Sequence, residues 1–530
     1  MSPRPKLVNL VAVLGLVLLV ACQPAPPAPG GAPTKEGGAA PAGQAAAPAA
    51  KSAGPTRITF ATTNILDSAD PFTHSDTFLY PIFCEVIGCL VGWDHSKGVP
   101  IPMLAENWKV ENPTTWVFNL RKGVKYSDGT PLTSADVAYS IQRAGDHPRT
   151  RQTDRVRLMA KVETPDDNTV RITTKEPNTG LLDRSFVVGL AIASKAQADR
   201  GDDLSKVMSV SAGPYMLKEW IAGQRVVLAK NPTYWGGPVQ GPDEVVLRVM
   251  REPEVRVTAL LNGEVQIAEG TPQLAERIKS GPNVELKPGG TLTIMFVAMN
   301  PLFKPWDNKL ARQAVAYAID RDSIIQNILK GYAEKLEGPI APGAFGYNPD
   351  VPKLRYTYNP DKARQLLAQA GYPNGIDVEN VATVGNYVAD KEINEAIAAM
   401  LTAVGLRMTI STPEQAKRTA DFEAGKLPFY YQQRGSVRDP GGPLAQYMET
   451  GATKRLNYSN PKLDELFQKE RATFNDDDRK KLLCEIDELI QEEVPMFFLW
   501  RHKLLWGVSK NLDWTPRNDE AFYPSEVRVR

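Results

Sequence analysis

Trp116-Val-Phe-Asn-Leu-Arg-Lys-Gly-Val-Lys-Tyr126, followed by Ser127-Asp-Gly-Thr-Pro-Leu-Thr133 and Ser134-Ala-Asp-Val-Ala-Tyr-Ser-Ile-Gln-Arg143, carries the densest local signal in this 530-residue chain. Trp116, Phe118 and Leu120 alternate with Val117, Asn119 and Arg121, the period-two pattern of a strand with one buried face. Lys122-Gly123 supplies a turn, and Val124-Lys-Tyr126 reads as the second arm of a hairpin. Asp128-Gly129 turns the chain again. Thr133-x-x-Asp136 then has the form of a capping box, in which the N-cap hydroxyl and the N3 carboxylate each satisfy the other's backbone amide, so a helix is expected over Ala135–Arg143. Strand, turn and helix make an α/β unit with no catalytic signature.

Upstream, folded sequence begins at Thr56-Arg-Ile-Thr-Phe-Ala61, where Ile58 and Phe60 share one face of a strand. Residues 23–54 are almost entirely Pro, Ala and Gly, a composition that buries too little apolar surface to fold, and they read as a tether spanning on the order of 30 Å. Residues 1–22 read as an export signal: Arg4 and Lys6, an apolar run from Leu7 to Val20, and small residues before Cys22. That run is too short to remain as a helix across a roughly 30 Å hydrocarbon core.

Downstream, helices and strands alternate, which favours sheets covered by helices. Asn359-Pro-Asp361 is an N-cap with proline at N1, and Gly371 stands where a C′ glycine belongs. Ile393, Ile397, Met400, Leu401 and Val404 line a helical face before Gly405, and Leu406–Ile410 follows as a strand. Asn460-Pro461 opens another helix, a further one covers Arg479–Glu493, and Met496–Trp500 is an apolar strand.

Composition excludes several functions. Lys and Arg number 62 against 61 Asp and Glu, and no basic stripe interleaves with aromatics, so nucleic acid is not an expected partner. His74, His95, His147 and His502 have no metal-site spacing, and Walker A, Gly-x-Ser-x-Gly and His-Glu-x-x-His motifs are all missing. No metal, cofactor or catalytic residue is therefore assigned. Besides Cys22 there are Cys84, Cys89 and Cys484. Phe78 to Leu90 reads as helical, which at about 1.5 Å per residue separates Cys84 and Cys89 beyond the ~7 Å reach of a disulfide, so free thiols are expected.

Several stretches stand in the order and spacing of one family. They are Pro102-Met-Leu-Ala-Glu-Asn-Trp108, Phe118-Asn-Leu-Arg-Lys-Gly-Val-Lys125, Gly213-Pro-Tyr215 with Glu219-Trp220, Asn231-Pro-Thr-Tyr-Trp-Gly-Gly237, Ala311-Arg-Gln-Ala-Val-Ala-Tyr-Ala-Ile-Asp-Arg321, Ala370-Gly-Tyr372 and Tyr458-Ser-Asn-Pro461. The set resembles the bacterial extracellular solute-binding proteins of family 5, which include the dipeptide-, oligopeptide- and nickel-binding proteins of ABC importers. The resemblance implies an α/β fold of the periplasmic-binding-protein type II class, two lobes with an inserted domain. By estimate, residues 55–81, 209–297 and 503–530 form the first lobe, 82–208 the insertion and 298–502 the second lobe. It also implies a monomer that closes its lobes on a small solute and delivers it to ABC permease subunits. The Leu19-Val-Ala-Cys22 ending resembles a lipobox, implying an extracytoplasmic protein held to a lipid membrane by an acylated Cys22. Because fold does not fix function, an extracytoplasmic enzyme or chaperone on the same scaffold is the alternative.

The resemblance places the ligand at Tyr430-Tyr-Gln-Gln-Arg-Gly-Ser-Val-Arg-Asp-Pro440. Dipeptide binders carry a carboxylate three residues before this Asp-Pro to hold the ligand's ammonium, and this chain has Ser436 there, which disfavours a free-amine dipeptide unless Asp439 takes the role. Arg434 and Arg438 suit a carboxylate through the guanidinium fork, and equally suit a solvated surface. Gln433 replaces a tryptophan found in several relatives. Tyr387, Tyr430, Tyr431 and Trp500 are candidate aromatic walls or packed core. Peptide-like solutes, oligosaccharides and other organic solutes all remain open.

Overall fold

The computed structural model describes residues 56–530 except 64–67, 74–79, 149, 151–155, 157, 183–189, 203–209, 351–355 and 436. Residues Gly54–Arg530 make one compact unit. The export signal, the tether, Cys22 and Ser436 lie outside the described residues.

Two sheets dominate. The first runs Val284–Gly289, Leu504–Ser509, Ile267–Gly270, Arg57–Thr62, Glu244–Val249, Arg225–Lys230, Tyr215–Ile221. Arg57–Thr62 pairs in parallel with both neighbours, and every other pairing is antiparallel. The second is antiparallel, in the order Ala333–Lys335, Met496–His502, Ile294–Met299, Phe429–Arg434. Ile294-Met-Phe-Val-Ala-Met299 is buried at every position because helices cover both faces: Met295, Val297 and Met299 enter one core, Ile294, Phe296 and Ala298 another. The chain passes between the sheets at Gly289 to Ile294 and again at His502 to Leu504.

A third, antiparallel sheet orders Ala105–Asn112, Thr115–Leu120, Thr169–Thr174, Met159–Asp166. Its apolar face joins the core of the first sheet, with Trp116, Phe118, Val170 and Ile172 in the same cluster as Phe60, Tyr215 and Trp506. The hairpin differs from its sequence reading: Thr115–Leu120 pairs with the preceding strand around a turn at Pro113-Thr114, while Val124–Tyr126 forms no strand. The alternation of Trp116, Phe118 and Leu120 fixes only the buried face; the partner is chosen by Ala105–Asn112, whose mostly exposed residues give no period-two signal. The capping box is present, Asp136 accepting from the Thr133 amide at 2.7 Å, and the helix covers Ser134–Asp146.

The family motifs tie into one knot. The Asn231 side-chain amide donates to the Gly213 carbonyl at 2.8 Å, and Tyr215 donates to the Pro242 carbonyl at 2.9 Å. A Cβ at Gly213 would lie 2.2 Å from the Glu85 carbonyl oxygen, so only glycine permits this approach.

Cys84 and Cys89 form a disulfide, their Cα atoms 4.9 Å apart, which overturns the expectation of free thiols. The helix covers only Tyr80–Ile87, and Gly88 at φ +82 turns the chain back, so the helical rise does not apply across the pair. Asn359 and Asn460 cap their helices as read, and strand Met496–His502 runs two residues beyond its expected end. Among the described residues, no helix is long and apolar enough to cross a membrane, and no cluster of potential metal ligands occurs.

Candidate functional site

Strand Phe429–Arg434 is the edge of the second sheet, and the loop leaving it returns to the first chain crossing. The Val437 amide donates to the Leu292 carbonyl at 3.0 Å, and the Leu292 amide donates to Asn518 at 3.1 Å. Loop, first crossing and C-terminal segment thus meet where the chain passes from sheet to sheet.

The expected site residues separate into three groups. Tyr431 and Trp500 are fully buried, 6.2 Å apart between rings, in the core that covers one face of the second sheet. They form a wall that no solute touches in this conformation. Tyr387 packs edge-on against Tyr431 at 5.9 Å and donates to the Gln432 side-chain oxygen at 2.5 Å; burial pushes its phenol up to about 12. Its position is fixed by Asp390, whose carboxylate accepts from Thr383, Gly385, Asn386 and Tyr387 at 2.8–3.2 Å. This is an Asx-type anchor at the start of helix Asp390–Ala403.

Arg438 and Asp439 are engaged within the protein. Arg438 donates to Asp519 at 3.1 Å and lies over the Trp93 ring at 5.3 Å. Asp519 is completely buried and also receives the Arg517 fork at 2.8 and 2.9 Å; burial pushes its carboxyl up, yet the Arg517 and Arg438 guanidiniums hold it below the usual carboxylate range. Asp439 is buried against Arg479, which also binds Glu470 at 2.5 and 2.7 Å, and it accepts from the Gly441 amide at 3.1 Å. It anchors helix Gly441–Met448 and has no free face for a ligand's ammonium.

Gln433 and Arg434 make the third group, at the open end of the edge strand opposite Met295 and Ile294. Gln433 is exposed and Arg434 partly so, its charge acting on Tyr447.

Sequence reading passed over Arg418, Tyr447, Trp93 and Asp519. One signal was present for Arg418: it stands four residues before Phe422 in helix Gln415–Glu423, and those two form the buried face of that helix. Arg418 donates to the carbonyls of Val381 and Tyr431, both at 3.4 Å, which brings it behind the same edge strand.

Two sheets joined by paired crossings, a third sheet built onto the first, and a polar strand end at the junction make the two-lobed α/β fold of the periplasmic type II class. The chain belongs to the bacterial extracellular solute-binding proteins, family 5, whose model, described as the family 5 Middle, matches residues 99–454. It is 26% identical over 472 residues to the glutathione-binding protein GsiB of Escherichia coli (strain K12), covering 86% of this chain and 91% of that one. Among solved structures, AgaA from A. tumefaciens R10 in complex with agropinic acid is 25% identical with a TM-score of 0.74, covering 89% of this chain and 99% of that one. HbpA2 from Haemophilus parasuis is 22% identical with a TM-score of 0.79, covering 89% and 100%.

Proposed function

We propose that this protein is the solute-capturing component of an ABC importer, taking a peptide-like or related organic solute that carries an anionic group and delivering it to permease subunits. One observation carries the reading: the edge strand of the second sheet presents Gln433 and the cation Arg434 at the junction of the sheets, while the neighbouring acid Asp439 is consumed by Arg479. A partly exposed arginine beside a neutralised acid favours an anion over an ammonium. The relatives named for glutathione and agropinic acid agree with an organic ligand. Lobe closure over the solute supplies the state that a permease distinguishes. The protein acts by binding rather than catalysis, from outside the cytoplasm, held to the membrane by lipid on Cys22.

Thermal unfolding of the mature protein against glutathione, agropinic acid, dipeptides, oligopeptides and oligosaccharides tests the reading, since a solute that binds only the native state raises the midpoint. Stabilisation by oligosaccharides alone would replace the anionic reading. For the anchor, Cys22→Ala should release the protein from membranes or block its processing, and failure of a labelled fatty acid to mark wild type would exclude lipidation.

A further inference from the structure

Six arginines are buried among the described residues: Arg256, Arg312, Arg321, Arg418, Arg479 and Arg517. Arg312, Arg321, Arg479 and Arg517 each pair with a carboxylate. Arg256 lacks one but donates to three backbone carbonyls at 2.6–3.0 Å. Arg418 stands apart, 3% exposed, with two carbonyl contacts at 3.4 Å and, among the described residues, no ion pair. The acid acting on it, Asp390, is occupied by its own loop. A buried guanidinium so poorly compensated is destabilising, and the fold has not offset it as it has at the other five positions.

Aromatic and polar groups surround it. The Arg418 charge acts on Tyr387, Tyr430 and Tyr447, and Arg434 acts on Tyr447 as well. Tyr447 is 5% exposed and wedged edge-on against Phe296 at 5.6 Å. Tyr387 and Gln432 add polar groups from the loop and the edge strand, and Asn386 binds Gln415 at 2.7 Å to join that loop to the helix carrying Arg418. The remaining arginine of this group, Arg455, is taken by Glu423 at 2.9 Å.

We infer that Arg418 receives a carboxylate of the captured solute. The inference rests on the solute-capture reading above and deepens it. Arg434 is the cation met on entry, whereas Arg418 is the buried one, whose missing counter-charge the solute supplies. A carboxylate there would exchange two long carbonyl contacts for charge-assisted hydrogen bonds to a planar fork.

The test uses the mature protein, wild type, Arg418→Gln and Arg418→Lys, with glutathione, agropinic acid and a set of dipeptides, each beside its carboxyl-esterified form, and with neutral oligosaccharides. Unfolding midpoints and titration calorimetry are read together. Esterification and Arg418→Gln should each weaken binding of the best acid by about 30-fold or more, and should not compound one another, because both remove the same contact. Arg418→Lys, which keeps the charge without the fork, should fall between. The solute-free midpoint of Arg418→Gln should stay or rise, since an under-compensated buried charge has been removed. Three results overturn the inference while leaving solute capture intact: an ester bound as tightly as its acid, Arg418→Gln binding as wild type, or a solute-free midpoint that collapses in Arg418→Gln and returns in Arg418→Lys with affinity unchanged. If no member of the panel, charged or neutral, raises the wild-type midpoint, the capture reading falls and this inference with it.

Discussion

Asp519 gives the sharpest test of what holds the junction together. Its buried carboxylate accepts from Arg517 at 2.8 and 2.9 Å and from Arg438 at 3.1 Å, so one anion neutralises two guanidiniums, one on the C-terminal segment and one on the loop that follows the edge strand. Asp519→Asn preserves shape and removes the charge. Glu526 nearby pairs with Arg517 at 2.5 Å, whereas among the described residues Arg438 pairs with no other carboxylate and is left over Trp93 without its partner. Breaking a buried pair by removing one member typically costs about 3–5 kcal/mol, because the other charge stays buried. Urea unfolding at neutral pH should therefore show a lower midpoint at an unchanged slope. The pH dependence has a definite sign. The folded carboxyl titrates below its ordinary value, so its contribution is complete above the unfolded pKa, near 3.9, and is lost as pH falls through the folded value. The gap between wild type and variant should narrow below about pH 4. A gap under about 1 kcal/mol at neutral pH would refute the claim that this carboxylate organises the junction.

Three further outcomes are expected. Alkylation without reductant should mark Cys484 and spare Cys84 and Cys89, and Cys84→Ser with Cys89→Ser should cost about 2 kcal/mol, the scale for so short a closed loop; alkylation of all three would disprove the bridge. Burial pushes the Glu85 carboxyl up to about 7 despite its bonds to Ser525, so stability present below its unfolded value is lost as pH rises towards 7, by roughly 3 kcal/mol. Glu85→Gln should flatten the stability profile between pH 5 and 8 and leave the variant the more stable at pH 8; an unchanged slope would contradict this. Arg434→Ala should weaken solute binding by about 30-fold or more while shifting solute-free stability by under about 0.5 kcal/mol, and equal affinities by calorimetry would place Arg434 outside the site.

Local rules were enough to read the caps at Thr133, Asn359 and Asn460 and the apolar faces of their helices, because a cap and the stripe beside it lie within one or two turns of sequence. The ordered motifs were enough for the family, since each, like Gly213 under the Glu85 carbonyl, answers a steric or hydrogen-bonding demand of this one fold. Tertiary structure decided the rest. Gly88 could end a helix or sit within it, and only its left-handed conformation in the folded chain brings Cys84 to Cys89. Arg438, Asp439 and Arg434 look alike in sequence as charged residues of one loop. Arg438 and Asp439 are consumed by Asp519 and Arg479, partners 81 and 40 positions away, and Arg434 is left partly exposed at the strand end. Arg418 lies on a mostly polar helix, and becomes the least compensated of the buried arginines only once Val381 and Tyr431 are folded around it. Periodicity says which face of an element is buried; which charges find partners depends on contacts between segments distant in the chain, and those exist only in the folded protein.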